Sequence, residues 1–251
     1  MKKKTGIIWC AIGLVLLGCA LLAGAIVLRE SALEKNPEVQ TVEPTSTAPT
    51  IPTTAATTIP SVERKDEDFV RIADYIPSVY VDLKYATTDN FTGVAIYDFT
   101  EAYLRYGTVK KLMNAQAILQ KQGYALKIWD AFRPPAAQFV LWDVCPDPAY
   151  VANPNGGYSS HSRGNTVDVT MVTSDGKEVK MPTGFDDFSA KADRHYEDCT
   201  PEETAHAQCL QEAMSESGFV PYTAEWWHFS DTDPYPVEDS FSPPAKDEMV
   251  D

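Results

Sequence analysis

The stretch Ser159-Ser-His-Ser-Arg-Gly-Asn-Thr-Val-Asp-Val-Thr-Met-Val-Thr173 runs from a turn of small residues into a strand. From Asn165 onward, Val167, Val169 and Met171 alternate with Asp168, Thr170 and Val172, the pattern of a strand with one face packed and the other bearing Asp168. Asp175-Gly176 then supplies a turn back into residues 178–181. Upstream, Val109, Leu112, Ala115, Ile118 and Leu119 keep near-helical spacing, and Gly123 is a natural terminator. A run of strand formers follows over residues 124–129, and Pro134 and Pro135 stop it from continuing past Arg133. Downstream, Thr200-Pro-Glu-Glu203 has the form of a capping box with Pro at the first helical position, so a helix is expected from there to Gly218. Residues 219–222 and a last aromatic strand over 225–230 complete the set. Helices beside hairpin-linked strands predict an α+β fold, a single domain over residues 66–240 with a central, mainly antiparallel sheet flanked by helices.

Two of the four histidines sit in dense polar contexts. The turn before the strand can fold His161 back toward Asp168, while Glu225-Trp-Trp-His-Phe229 sets a carboxylate three residues from His228. Two imidazoles and one carboxylate make a three-ligand zinc site with an open fourth position, the arrangement of a hydrolytic rather than a structural ion. His161, Asp168 and His228 are therefore the candidate metal ligands, and one Zn2+ per chain the candidate cofactor. Such an ion polarises a carbonyl and brings the pKa of a water to about 7, and a nearby carboxylate outside the ligand set takes the proton. Glu225 is the candidate base. In an ideal strand residues 225 and 228 face opposite sides, so Glu225 has to lie at a strand end or bulge. Arg133, in Trp129-Asp-Ala-Phe-Arg-Pro-Pro135, can aim a guanidinium at the oxyanion formed on a carbonyl, a contact worth about 3 to 4 kcal/mol of barrier. The competing reading of Arg133 is a salt bridge with Asp130.

Four blocks, taken in order, resemble the D-alanyl-D-alanine dipeptidases of the VanX type, within the wider zinc D-Ala-D-Ala carboxypeptidase group. They are Asp82-Leu-Lys-Tyr-Ala-Thr-Thr-Asp-Asn-Phe-Thr-Gly93, Trp129-Asp-Ala-Phe-Arg-Pro134, Ser159-Ser-His-Ser-Arg-Gly-Asn-Thr-Val-Asp168 and Glu225-Trp-Trp-His-Phe229. The resemblance implies the same three zinc ligands, Glu225 as general base and Arg133 as the carbonyl and oxyanion contact. It further implies that Asp186, in Gly184-Phe-Asp-Asp-Phe188, and Ser159 hold the free amino group of a dipeptide, with adjacent Asp187 competing for that place. The implied reaction is hydrolysis of D-Ala-D-Ala to two D-alanines. Two alternatives stand beside it: an extracytoplasmic D,D-carboxypeptidase that trims peptidoglycan stem peptides, and a wall-peptide binding module without catalysis, against which the presence of a base argues.

The resemblance excludes the N-terminal part of the 251-residue chain. Gly6 to Leu28 is an uncharged run long enough to cross a hydrocarbon core of about 30 Å, and Lys2, Lys3 and Lys4 before it favour a cytoplasmic N-terminus. Residues 1–30 are expected to be a single-pass membrane anchor with the catalytic domain on the extracytoplasmic side. A cleaved signal peptide, which would release a secreted protein, is the competitor, with Ala23 and Ala25 as its A-x-A pattern. Residues 31–65 read as a stalk, because half of the 26 residues from Asn36 to Ser61 are Pro or Thr, and residues 241–251 read as an acidic tail. The net charge of −15 disfavours nucleic acid and anionic lipid as partners; the expected ligand, a small D,D-dipeptide or cell-wall peptide, is what the resemblance implies. Cys145, Cys199 and Cys209 lie in a disulfide-permissive setting, where Cys199 and Cys209 are too far apart along one helix to pair and Cys145 is free to pair with either.

Overall fold

A computed structural model describes residues 63–148 and 150–249, so the expected anchor and all but the end of the stalk lie outside the described residues. Among the described residues no helix is long and apolar enough to cross a membrane. In chain order the elements are β1 (Phe69–Arg71), α1 (Ile72–Tyr75), β2 (Tyr80–Val81), β3 (Tyr103–Arg105), α2 (Tyr106–Gln120), β4 (Tyr124–Asp130), α3 (Pro135–Val144), β5 (Thr166–Thr173), α4 (Pro201–Glu216), β6 (Phe219–Pro221) and β7 (His228–Asp231). Five strands form one sheet in the order β2-β4-β5-β7-β6, in which only the β2–β4 pair is parallel, and β1 and β3 form a separate antiparallel pair.

The period of each element explains what it buries. Val109, Leu112, Ala115 and Leu119 place one stripe of α2 in the core, where α2 meets α4 and β4. Val109, Leu112 and Leu119 each contribute about 1.5–3 kcal/mol of burial. The start of α4 is set by a complete capping box: Thr200 Oγ1 accepts from the Glu203 amide at 3.3 Å, and Glu203 Oε2 accepts from the Thr200 amide at 2.8 Å.

Several expectations are corrected here. The strand over 166–173 is buried on both faces, because the turn carrying His161 covers the side that bears Asp168. Residues 178–181 add no strand; a single bridge, Val172 to Glu178, marks the hairpin before Pro182. The last strand begins at His228, and residues 225–227 form the turn before it. β4 ends at Asp130, four residues ahead of Pro134, and Pro135 opens α3, since a first helical position has no amide bond to lose. Residues 241–247, read as a tail, pack back on the domain: Phe241 stacks on Phe69 at 4.3 Å, and Lys246 Nζ donates to the Ala86 carbonyl at 2.9 Å. Cys145, Cys199 and Cys209 are all free thiols, so the pairing left open for Cys145 is not formed.

Candidate active site

The site is assembled at one end of the three central strands, where Asp130 on β4, Asp168 on β5 and His228 on β7 stand in one row of the pairing register. An irregularity between Ile128 and Asp130 brings Asp130 into that row. His161 arrives from a short 3-10 turn, residues 160–163. Ser159 caps it by accepting the His161 amide at 3.3 Å, and Gly164 ends it at φ 73°, where a side chain would run into the Phe69 ring. Arg105, at the end of β3, holds the same turn by donating to the Arg163 carbonyl at 3.0 Å.

His161 is buried, and its Nδ1–H donates to the Ala131 carbonyl at 2.8 Å, which leaves Nε2 as the free lone pair. That Nε2 lies 3.3 Å from Asp168 Oδ2 and 3.4 Å from His228 Nδ1, and His228 Nδ1 lies 3.0 Å from Asp168 Oδ1. Donors about 2.0–2.1 Å from a tetrahedral ion stand roughly 3.3–3.4 Å apart, so these separations fit zinc. Asp168 Oδ1 is buried and accepts no hydrogen bond in acceptable geometry despite its nearness to His228. An orphaned carboxylate oxygen beside one imidazole, with its partner oxygen beside the other, is what a cation would satisfy. Burial alone would raise the Asp168 pKa, but without an ion the two imidazoles, when protonated, outweigh it and hold the carboxyl well below the usual range.

Glu225 sits in the turn ahead of β7, with Oε2 3.5 Å from His228 Nδ1, so the strand-end position required of it is the one it has. Burial, and then the charge of Asp168, raises its pKa, which moves a carboxylate toward the range of an effective base. Arg133 makes the salt bridge with Asp130 and also lines the cavity. Its Nε and Nη2 donate to Asp130 Oδ2 at 3.1 and 2.6 Å, and Nη1 donates to Gln138 Oε1 at 2.9 Å. Of five guanidinium donors this leaves two, one on each terminal nitrogen, and the side chain lines the site's cavity.

The cavity has a volume of about 510 Å³, and all seven residues singled out in the sequence line it: Ser159, His161, Asp168, His228, Glu225, Arg133 and Asp186. Asp186 adopts φ 51° and accepts the Tyr85 hydroxyl at 2.6 Å. Burial lifts its pKa to about 7, against the Tyr85 hydrogen bond and with some help from the Asp168 charge. Asp187 is not part of the wall; its carboxylate accepts the Ser189 amide at 2.9 Å. Neither His195 nor His206 lines the cavity.

A family model described as D-ala-D-ala dipeptidase matches residues 65–247. The chain belongs to the D-Ala-D-Ala dipeptidase family. Similar family members include the D-alanyl-D-alanine dipeptidase of Escherichia coli, 36% identical over 162 residues that cover 64% of this chain and 83% of that protein. Another is the D-alanyl-D-alanine dipeptidase of Enterococcus faecium, 32% identical over 189 residues, 67% of this chain and 94% of the other. Among solved structures the chain is similar to VanYB in complex with D-Alanine-D-Alanine, with 14% identity, a TM-score of 0.35, and coverage of 55% of this chain and 74% of that one.

As a member of the D-Ala-D-Ala dipeptidase family the chain is a peptidase, and its donor set fits zinc as the metal. Tyr85, Tyr97 and Gln138 belong to the site without any pattern of their own in the sequence. Tyr97 donates to Asp130 Oδ1 at 2.7 Å, so it fixes the carboxylate that fixes Arg133. The available signal was position, since Tyr85 lies inside the first matched block and Gln138 five residues beyond Arg133.

Proposed function

We propose that the chain hydrolyses D-Ala-D-Ala to two D-alanines with one zinc held by His161, Asp168 and His228. The observation that carries this reading is Glu225 beside the three converging donors, a spare carboxylate with no ligand role to fill. Zinc at that position supplies Lewis acidity to the scissile carbonyl and acidifies a water. Glu225 takes the proton of the attacking water and passes it to the leaving amine. The two unspent donors of Arg133 stabilise the oxyanion as charge develops. Asp186, supported by Tyr85 and with Ser159 nearby, pairs with the ammonium of the substrate, so a longer peptide offers an uncharged amide where a cation is required. The test is D-alanine release by the zinc-loaded protein beside Glu225→Ala: a fall of about 10²–10⁴-fold with zinc retained is expected, and undiminished release would refute the role of Glu225.

A second reading, trimming of peptide stems that end in D-Ala-D-Ala, is favoured by the size of the cavity and by exposed Tyr150, Tyr158 and Tyr222 along it. Offering free dipeptide beside an N-acylated peptide separates the two, and a wide preference for the blocked peptide ends the dipeptidase reading. Gly6 to Leu28 supports anchoring to the cell membrane with the peptidase on the outer side. Protease added to intact cells should then remove the peptidase domain, and protection of that domain would argue for the opposite orientation.

A further inference from the structure

Glu225 is held in a loop whose ends are joined by the Tyr222 amide donating to the His228 carbonyl at 3.1 Å, while the bonds that involve Glu225 itself are long. The Glu225 amide donates to the Tyr222 carbonyl at 3.4 Å, and the His228 amide donates to the Glu225 carbonyl at 3.4 Å. The same turn is gripped from outside by Arg194. Its Nε donates to the Tyr222 carbonyl at 2.7 Å and its Nη2 to the His228 carbonyl at 3.0 Å, so one guanidinium spans the two ends of the segment that carries Glu225. The third arm is fixed, with Nη1 donating to Gln211 Oε1 of α4 at 3.0 Å and the guanidinium carbon 4.4 Å from the centre of the Phe229 ring. The backbone repeats the contact, since the Arg194 amide donates to the Thr223 carbonyl at 3.0 Å and the Trp226 amide to the Ala192 carbonyl at 2.9 Å. Among the described residues no carboxylate pairs with Arg194, so its charge is spent on carbonyls.

We propose that Arg194 is a positioning residue for the general base: by tying the Tyr222 and His228 carbonyls together it sets where the Glu225 carboxylate stands relative to the metal-site face of His228. The proposal rests on the reading of Glu225 as base. The two charge-assisted bonds, shorter than the 3.4 Å bonds made by Glu225, reinforce the main-chain closure between Tyr222 and His228, and a displacement of about 1 Å at a reacting group can cost 10²-fold in rate. Arg194 does not line the cavity; its hydrogen bonds to the loop go to backbone carbonyls, and its charge also attracts the Glu225 carboxylate.

The test compares wild type, Arg194→Lys and Arg194→Ala as full-length zinc-loaded proteins. Lysine keeps the charge but is a point donor that does not span both carbonyls. Arg194→Lys is expected to lower kcat about tenfold or more, with KM within about threefold and one zinc per chain retained. In Arg194→Ala, added guanidinium ion should restore part of kcat where methylammonium does not. Independently of activity, the Tyr222 and Glu225 amides should exchange hydrogen faster in Arg194→Lys than in wild type. An unchanged kcat in Arg194→Lys overturns the proposal even if Arg194→Ala fails to fold. So does a kcat that excess zinc restores in full, which would mean that Arg194 acts on the ligand rather than on the base. A wild-type protein that releases no D-alanine overturns the proposal together with the reading it rests on, whereas an active wild type with an unaffected variant overturns the proposal alone.

Discussion

Asp186 is the residue whose surroundings give the most direct forecast. Burial raises its pKa from an ordinary value of about 4 to about 7, so near neutral pH in the free protein it stands between a neutral acid and the anion that an ammonium ligand needs. Activity on free dipeptide should climb as pH rises through about 7, and Asp186→Asn should flatten that limb while losing more on free dipeptide than on N-blocked peptide. A pH profile of kcat/KM for both substrates checks it, and equal losses would show that Asp186 does not read the amine. The sign for stability is opposite. A carboxyl whose folded pKa lies above its unfolded one binds more protons in the folded state, so metal-free wild type should lose stability between about pH 4 and pH 7 relative to Asp186→Asn, as urea unfolding at the two pH values would show. At this level the convergence of His161, Asp168 and His228, the proposed ligands, beside Glu225, the proposed base, was legible because histidine is rare in the chain and each candidate carries its own chemistry. Gln138, Tyr97 and Arg194 were not, because their partners are carbonyls and carboxylates that only the folded chain brings within reach.

The elements that could be read ahead were those with an internal signature: the period of α2, the cap of α4 and the alternation of β5. Where the outcome depended on neighbours, reading failed. Pro134-Pro135 is a stop for a strand and a start for a helix, and residues 178–181 have strand composition but only one bridge of pairing. Two substitutions separate elements that hold the site from elements that only hold the fold. Thr200→Ala removes one cap bond of α4 and should cost about 1 kcal/mol of stability with activity kept. Gly164→Ala puts a side chain at φ 73° with its Cβ 2.5 Å from the Phe69 ring. It should cost more than the 1–2 kcal/mol of a left-handed residue and weaken zinc binding, because the same glycine closes the turn that presents His161. Denaturant unfolding with zinc uptake measured in parallel distinguishes the pair.

The domain as a whole is held by an apolar core that runs from α2 and α4 through the central strands to Trp226 and Trp227, and the donor cluster lies at its margin. Chelation should therefore abolish D-alanine release while leaving the far-ultraviolet circular dichroism unchanged at 25 °C. Restored zinc should raise the melting temperature, through a stabilisation that grows with free ion and reaches about 2.7 kcal/mol at a hundredfold excess over Kd. The single row formed by Asp130, Asp168 and His228 has one more result. Displacing the middle strand by one position would turn its carboxylate to the opposite side and set Thr166, Asp168 and Thr170 where Val167, Val169 and Met171 pack, so a mispaired chain would be blind to the ion. Metal uptake during refolding would thus count the molecules whose strands are correctly threaded, a tally that compactness or helix content would miss.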